Sequence, residues 1–405
     1  MTRALTGARP LNLNAMTIMP IVPTMPTSRP RRAIVIGGSL GGLFTAICLR
    51  AIGWEVDVFE RSPQQLDSRG GGLVLQPSVL DALAFAGVAH PPDFGVPSKD
   101  RIFLNRAGVV RRIDMPQTQI AWNGLYALMK GALDPRMIHA GEELVTLARE
   151  ADHVTARFAS GRTERADLLV GADGPLSTVR QQLLPGDAPA YAGYVAWRGV
   201  LPEAALGEQA RSLLVDAFAF QDGPGHQMLT YLIPGEDGSA RRNERRLNWV
   251  WYRALPAGAP LAAVLLDRHG RQHTHSLPPG AVKDADAQAL RLAAADSLAP
   301  VFAALVTSTP DPFLQLIQDY AAPRMRFGRA VLLGDAAFVA RPHTGAGAGK
   351  AAANAVALAR ALQASGEHID DALALWDRSQ WAEDKRLAQW GISLGRRIMG
   401  VMQPD

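Results

Sequence analysis

Residues 33–42 read Ala33-Ile34-Val35-Ile36-Gly37-Gly38-Ser39-Leu40-Gly41-Gly42, and Glu60 stands 23 positions after Gly37. Four apolar residues in a row mark a strand buried on both faces. Glycines at the turn let a pyrophosphate approach the backbone, and the next helix offers free N–H groups and a positive dipole end. Leu43 to Ala51 is patterned as that helix, Gly53 ends it, and Glu55 to Phe59 reads as a second strand. The unit is therefore β-α-β, with an acid placed to accept hydrogen bonds from ribose hydroxyls. Ser39 occupies the second glycine position of the G-x-G-x-x-G pattern. It is small and can donate to phosphate. Taken alone, the same residues also suit a tight turn in any α/β protein.

Two later strand ends extend the pattern. In Asp167-Leu168-Leu169-Val170-Gly171-Ala172-Asp173-Gly174 a strand runs into an acid-glycine turn, with Ser177 and Arg180 following. Ala330-Val331-Leu332-Leu333 runs into Gly334-Asp335-Ala336-Ala337, and then Arg341-Pro342-His343-Thr344-Gly345-Ala346-Gly347 opens an alanine-rich helix to Ala364. An aspartate there can take a ribityl hydroxyl, and the helix N-terminus favours an electron-rich group. Between these ends the chain changes character. Tyr194 to Trp197, Met228 to Ile233 and Leu247 to Tyr252 are aromatic and β-branched runs of an antiparallel sheet. Helices are expected near Val79 to Ala86, Gly124 to Leu133 and Asp370 to Met399, and a hairpin over His153 to Phe158 and Arg165 to Val170. The domain reading is a disordered extension over 1–29 and a nucleotide-binding part over 30–190. An inserted sheet domain covers 191–310, the returning part 311–365, and a helical segment 366–405.

Composition narrows the partners. Hydrophobic residues make up 48% and charged residues 20% of 405, ordinary for a chain with a large core. The single cysteine, Cys48, excludes an intrachain disulfide or a cysteine metal cluster and fits a reducing cytosol. No run is apolar enough for a membrane span. The opening residues hold Arg3, Arg9 and prolines at 10, 20, 23, 26 and 30, which break any signal-peptide core, and Met16, Met19 and Met25 offer later starts. Net charge is +4, and the densest basic run is Arg241, Arg242, Arg245 and Arg246. That run reads as a solvated loop, or as a patch for an anionic cofactor or substrate. No basic stripe with interleaved aromatics points to nucleic acid.

With the three strand-end motifs in this order, the chain resembles the class A flavoprotein aromatic hydroxylases over about residues 31–390. Tyr191-Ala192-Gly193-Tyr194-Val195-Ala196-Trp197-Arg198-Gly199-Val200 and Arg341-Pro342-His343 resemble a hydroxypyridine-hydroxylating branch of that family. The implied fold is a Rossmann-like FAD-binding domain with an inserted, mostly antiparallel β-sheet substrate domain and C-terminal helices, as in p-hydroxybenzoate hydroxylase. The implied cofactor is FAD, with NADH or NADPH and O2 as co-substrates and a flavin C4a-hydroperoxide carrying the oxygen. FAD contacts fall on Gly37, Ser39, Leu40, Gly42, Glu60, Arg61, Asp173, Asp335, Gly345, Ala346 and Gly347. No metal and no second dinucleotide fold is implied, and a homodimer is the assembly expected. Departures from the family pattern stand at Phe338, Gly349, Asn354 and near Trp122.

Ring attack by an electrophilic oxygen is easier on an ionised ring hydroxyl, so a group must remove that proton or stabilise its loss. His343 and Pro342 in the glycine-rich turn, Tyr231 and Arg198 are the catalytic candidates. His226, Trp249 and Trp251 are expected to wall the substrate. Arg198 reads equally as a brace of the sheet, Tyr231 as core and His226 as a turn residue. Two other functions fit the same motifs: a flavin dehydrogenase or reductase that inserts no oxygen, and a nucleotide binder without catalysis.

Overall fold

The computed structural model describes residues 30–64 and 71–400. The expected disordered tail at 1–29 lies outside the described residues. Three strand ends far apart in sequence meet in one parallel sheet. Arg32–Ile36 pairs on one side with Glu55–Glu60 and on the other with Leu168–Gly171, which pairs with Ala330–Leu332. Ile138–Ala140 and Arg326–Phe327 complete six strands. Side chains of the three central strands, Arg32–Ile36, Leu168–Gly171 and Ala330–Leu332, are almost wholly buried because helices cover the sheet, while Arg326–Phe327 is an antiparallel edge. Gly347–Ala364 packs between Leu40–Ala51 and the long helix Ile369–Met399.

The expected hairpin over 153–170 differs in its second leg. Thr163–Ala166 stays with Val154–Phe158 in a small three-stranded sheet, while Leu168–Gly171 joins the parallel sheet. Asp167 makes the switch: its carboxylate accepts from the Arg32 N–H at 2.8 Å, and its own N–H donates to the Arg32 carbonyl at 2.9 Å.

The second sheet takes Ala190–Pro202, Ala217–Gly223, His226–Ile233 and Arg246–Ala254 from the middle of the chain. Gly72–Val74, Val96–Asn105, Gly108–Ala121 and Phe313–Ala321 join it from either side of that segment. Its pairs are antiparallel apart from Ala217–Phe220 against Asp100–Phe103. Two helices, Asp284–Ser297 and Pro300–Ser308, cover one face, where Trp197, Trp249 and Trp251 are buried. The other face carries Tyr194, Ala196, Tyr231, Val250 and Tyr252 and meets Val74 and Met399. Strand alternation makes the division: neighbours in sequence point to opposite faces. Of the basic run, Arg241 and Arg242 are exposed, whereas Arg245 is buried in a paired contact with Glu203 at 2.6 and 2.8 Å. Among the described residues no helix is long and apolar enough to cross a membrane.

The tryptophan face is packed without slack. A Cβ on Gly199 would lie 2.5 Å from Nε1 and Cε2 of the fully buried Trp249. Gly199→Ala is expected to destabilise the protein by about 1–3 kcal/mol through overpacking. Urea unfolding beside the unaltered protein checks this.

Candidate active site

At the carboxyl edge of the parallel sheet the first turn is as tight as its glycines allow. Gly37 has φ +107°, and a Cβ there would lie 2.5 Å from the Ala172 carbonyl oxygen. A Cβ on Gly42 would lie 1.8 Å from the Gly37 oxygen. The helix opens at Ser39 with no side-chain cap and no acid in its first turn, so its first N–H groups have no side-chain partner. Glu60 accepts from the Gly38 N–H at 2.8 Å and from the Ser62 N–H at 2.9 Å. Each carboxylate oxygen has a second lone pair for a ribose hydroxyl. Leu40 is buried behind the turn, and Arg61 is exposed just beyond Glu60.

Asp173 is turned inward. It accepts from the Ser177 hydroxyl and the Val179 N–H, capping the helix Thr178–Leu183, and burial raises its pKa. What Asp173-Gly174 offers outward is backbone. Buried Arg180 ties this turn to the next by donating to the carbonyls of Ala336 and Pro175. Asp335 sits in the short turn Gly334–Ala336, its side chain 45% exposed. One carboxylate oxygen meets Lys350, and the other has no hydrogen bond among the described residues. Gly345 is left-handed at φ +63°, and around Gly347, where the long helix opens without a cap, there is open space. Two uncapped helix ends, a free carboxylate oxygen and a glycine turn on one edge fit the diphosphate, ribityl chain and ring of FAD. Among the described residues no group of His, Cys, Asp and Glu could hold a metal.

The turn Arg341 to Gly345 is clamped to the second sheet. Arg341 grips Asp319 with two bonds, at 2.7 and 2.5 Å, and lies over the Tyr194 ring. His343 is held at both nitrogens, by Tyr194 at 2.9 Å and Gln227 at 3.2 Å, and packs on Tyr252. The Gln227 amide nitrogen donates to Asp222 at 2.7 Å, so its oxygen faces the histidine. His343 therefore carries its proton on Nδ1, and Nε2 accepts from the Tyr194 hydroxyl. Burial, and then Arg341, lower its pKa to about 3. As a proton acceptor near neutral pH, His343 is accordingly weak, contrary to the role expected for it. Pro342 starts the short turn that presents it.

Arg198 and Tyr231 face this turn from the sheet. Burial pushes the phenols of Tyr231 and Tyr252 up, the latter to about 12, while nearby Arg198 pulls both back. The Arg198 side chain has no hydrogen bond or ion pair among the described residues, and its Nε is buried. Asn248, fully buried, accepts from the Gly72 N–H at 3.2 Å and leaves its amide nitrogen without a partner. Gly72 has to be glycine because a Cβ would meet the Tyr231 ring at 2.2 Å.

The structure does not bring His226, Trp249 and Trp251 to this face. Trp249 donates to Thr309 at 2.9 Å and Trp251 to His226 at 3.2 Å, all on the helix-covered side. Their even or odd place along each strand puts them there. Tyr194, Gln227, Asn248 and Lys350 were missed as site residues. Period-two alternation from Arg198 would have found Tyr194, but no sequence signal sets the cross-strand register. The four departures have local partners. Phe338 is fully buried, Ser78 donates to the Gly349 carbonyl, Asn354 accepts from the Gly334 N–H, and Trp122 stacks on Tyr126.

The FAD binding domain family matches residues 31–249, and the FAD binding domain-like family matches 191–319. A 2,6-dihydroxypyridine 3-monooxygenase of Paenarthrobacter nicotinovorans is 32% identical over 86% of this chain and 87% of its own. A 6-hydroxynicotinate 3-monooxygenase of Pseudomonas fluorescens is 26% identical over 87% of this chain and 88% of its own. The solved structure of 2,6-dihydroxypyridine-3-hydroxylase from Arthrobacter nicotinovorans superposes with a TM-score of 0.87 at 29% identity, covering 93% of this chain and 95% of that one.

The lowered pKa of His343 has a stability consequence. The unfolded chain takes up a proton near the ordinary histidine pKa and the folded one does not, so this residue costs stability as pH falls from about 6.5 towards 3. His343→Gln should lose less stability than the unaltered protein between pH 7 and pH 4.5, measured by urea unfolding at both. Equal losses would show that His343 is charged in the fold.

Proposed function

The chain belongs to the FAD-dependent aromatic hydroxylase family, and on that premise we propose that it hydroxylates a small N-heteroaromatic ring bearing a hydroxyl, of the hydroxypyridine class, with NADH or NADPH and O2. When bound, FAD supplies the redox chemistry, by which one oxygen atom enters the ring and the other leaves as water while NAD(P)H gives two electrons. The glycine turn Gly37 to Gly42, with Glu60 and Arg61, would hold the ADP half. Asp335 would take a ribityl hydroxyl, and Pro342 to Gly347 would lie beside the ring system.

The observation that carries the substrate class is the free cation Arg198, set among phenols with no acid bonded to it among the described residues. Such a group favours a substrate that arrives as an oxyanion. With its pKa raised, Tyr231 stays a phenol near neutral pH and donates to that oxyanion. Neither Tyr231 nor His343 is a base there, so the pocket favours loss of the ring proton by stabilising the anion left behind. His343 acts by holding the turn against the sheet. The relatives named for dihydroxypyridine and hydroxynicotinate support this class.

Purified protein is expected to oxidise NAD(P)H faster with one or more hydroxypyridines and to give a product heavier by one oxygen atom. FAD-loaded protein that does neither, across hydroxypyridines and phenols, would sink the proposal. Tyr231→Phe should lower kcat/KM by about 10- to 100-fold with FAD retained, the worth of one hydrogen bond to an anion. Arg198→Met removes the cation that lowers the bound ring's pKa. The acidic limb of its pH–rate profile should therefore move up by about one to three units.

A further inference from the structure

Lys350 is out of place by every local rule. It lies in the first turn of the helix Gly347–Ala364, its N–H bonded to the Ala346 carbonyl at 2.8 Å, where the dipole disfavours a cation. Its side chain is 1% exposed, and burying an ammonium is costly unless partners compensate it. The surrounding helix is built of alanine, the better helix former.

Its partners show what it does. Side chains in a helix lean towards the N-terminus, and this one reaches back to the turn that ends the strand Ala330–Leu332. There Nζ donates to Asp335 Oδ1 at 3.2 Å and to the Phe338 carbonyl. The other acids nearby are Asp384 and Glu383. Asp384 is buried against Asn354 with one oxygen unpartnered, and Lys350 draws its raised pKa, about 6, downward. The ammonium thus pins one oxygen of Asp335 from inside the protein while the half-exposed carboxylate turns its other oxygen outward.

We propose that Lys350 is a positioning residue for the flavin: it clamps Asp335 so that the free carboxylate oxygen is aimed at a cofactor hydroxyl. With Asp335 half-exposed the pair itself adds little net stability, which favours a role in holding geometry. The inference rests on the FAD reading of the site.

The test is a double-substitution cycle on FAD release from the holoprotein, followed by flavin fluorescence on dilution, with circular dichroism to check folding. Lys350→Met and Asp335→Asn are each expected to weaken FAD binding by about tenfold or more. The doubly substituted protein should bind as weakly as Asp335→Asn alone, because the lysine acts through the aspartate. Lys350→Arg, which keeps the cation, should recover part of the loss. Effects that add in the double variant would overturn the assignment and leave Lys350 a general structural residue. So would a folded Lys350→Arg protein no better than Lys350→Met. If the unaltered protein holds no FAD, the cofactor reading fails and this inference with it; if it holds FAD and the cycle is additive, only the inference fails.

Discussion

The close approach of Gly37 to Ala172 is the constraint on which the rest of the structure depends. Two strand ends of one parallel sheet, Ile36 and Gly171, lie side by side, and each chain must turn away within a residue or two. A side chain on Gly37 would occupy the place of the Ala172 carbonyl. With that contact made, the helix Leu40–Ala51 starts at the sheet edge, the Asp173 turn stacks beside it, and Leu332 brings Asp335 alongside. Backbone amides, carboxylates and helix dipoles then share one edge.

A second set of contacts joins that edge to the other sheet. Asp222, Gln227, His343 and Tyr194 form a chain of hydrogen bonds in which each member fixes the orientation of the next. Arg341 and Asp319 brace it, and the glycines Gly391 and Gly395 of the last helix leave room for the Arg341 side chain and the Tyr194 hydroxyl. A histidine so enclosed is a strut. Its neutrality is the price of burial beside Arg341, and the same burial keeps the phenols of Tyr231 and Tyr252 protonated. This face of the sheet therefore presents the Arg198 cation among protonated phenols, the basis of the anionic substrate proposed for it.

Much of this was legible in the residues. The β-α-β unit, the strand-end acids Glu60 and Asp335 and the glycine-rich turn are local features, each needing a particular residue type within a few positions. The middle sheet was also legible, because aromatic and β-branched runs prefer strands. Three things were not. The hairpin over 153–170 splits at Asp167, and only the distant Arg32 backbone explains why. Trp249 and Trp251 look like pocket wall by size and hydrophobicity, yet face the helices. Lys350 looks like a surface residue on a helix, yet is buried.

The sequence by itself determined that three short apolar strands end in turns suited to a dinucleotide, because glycine, acid and helix start must adjoin one another along the chain. Only the tertiary structure decided which face of the inserted sheet meets those turns. A strand's alternation divides its residues into two sets but does not say which set faces the cofactor edge. That choice comes from cross-strand register and from what packs on each side, here the helices Asp284–Ser297 and Pro300–Ser308 on one face and the Arg341 to Gly345 turn on the other. The protonation of His343 was decided in the same way: Arg341 stands two positions before it in the chain, but the burial that chiefly lowers its pKa comes from the sheet packed on the turn.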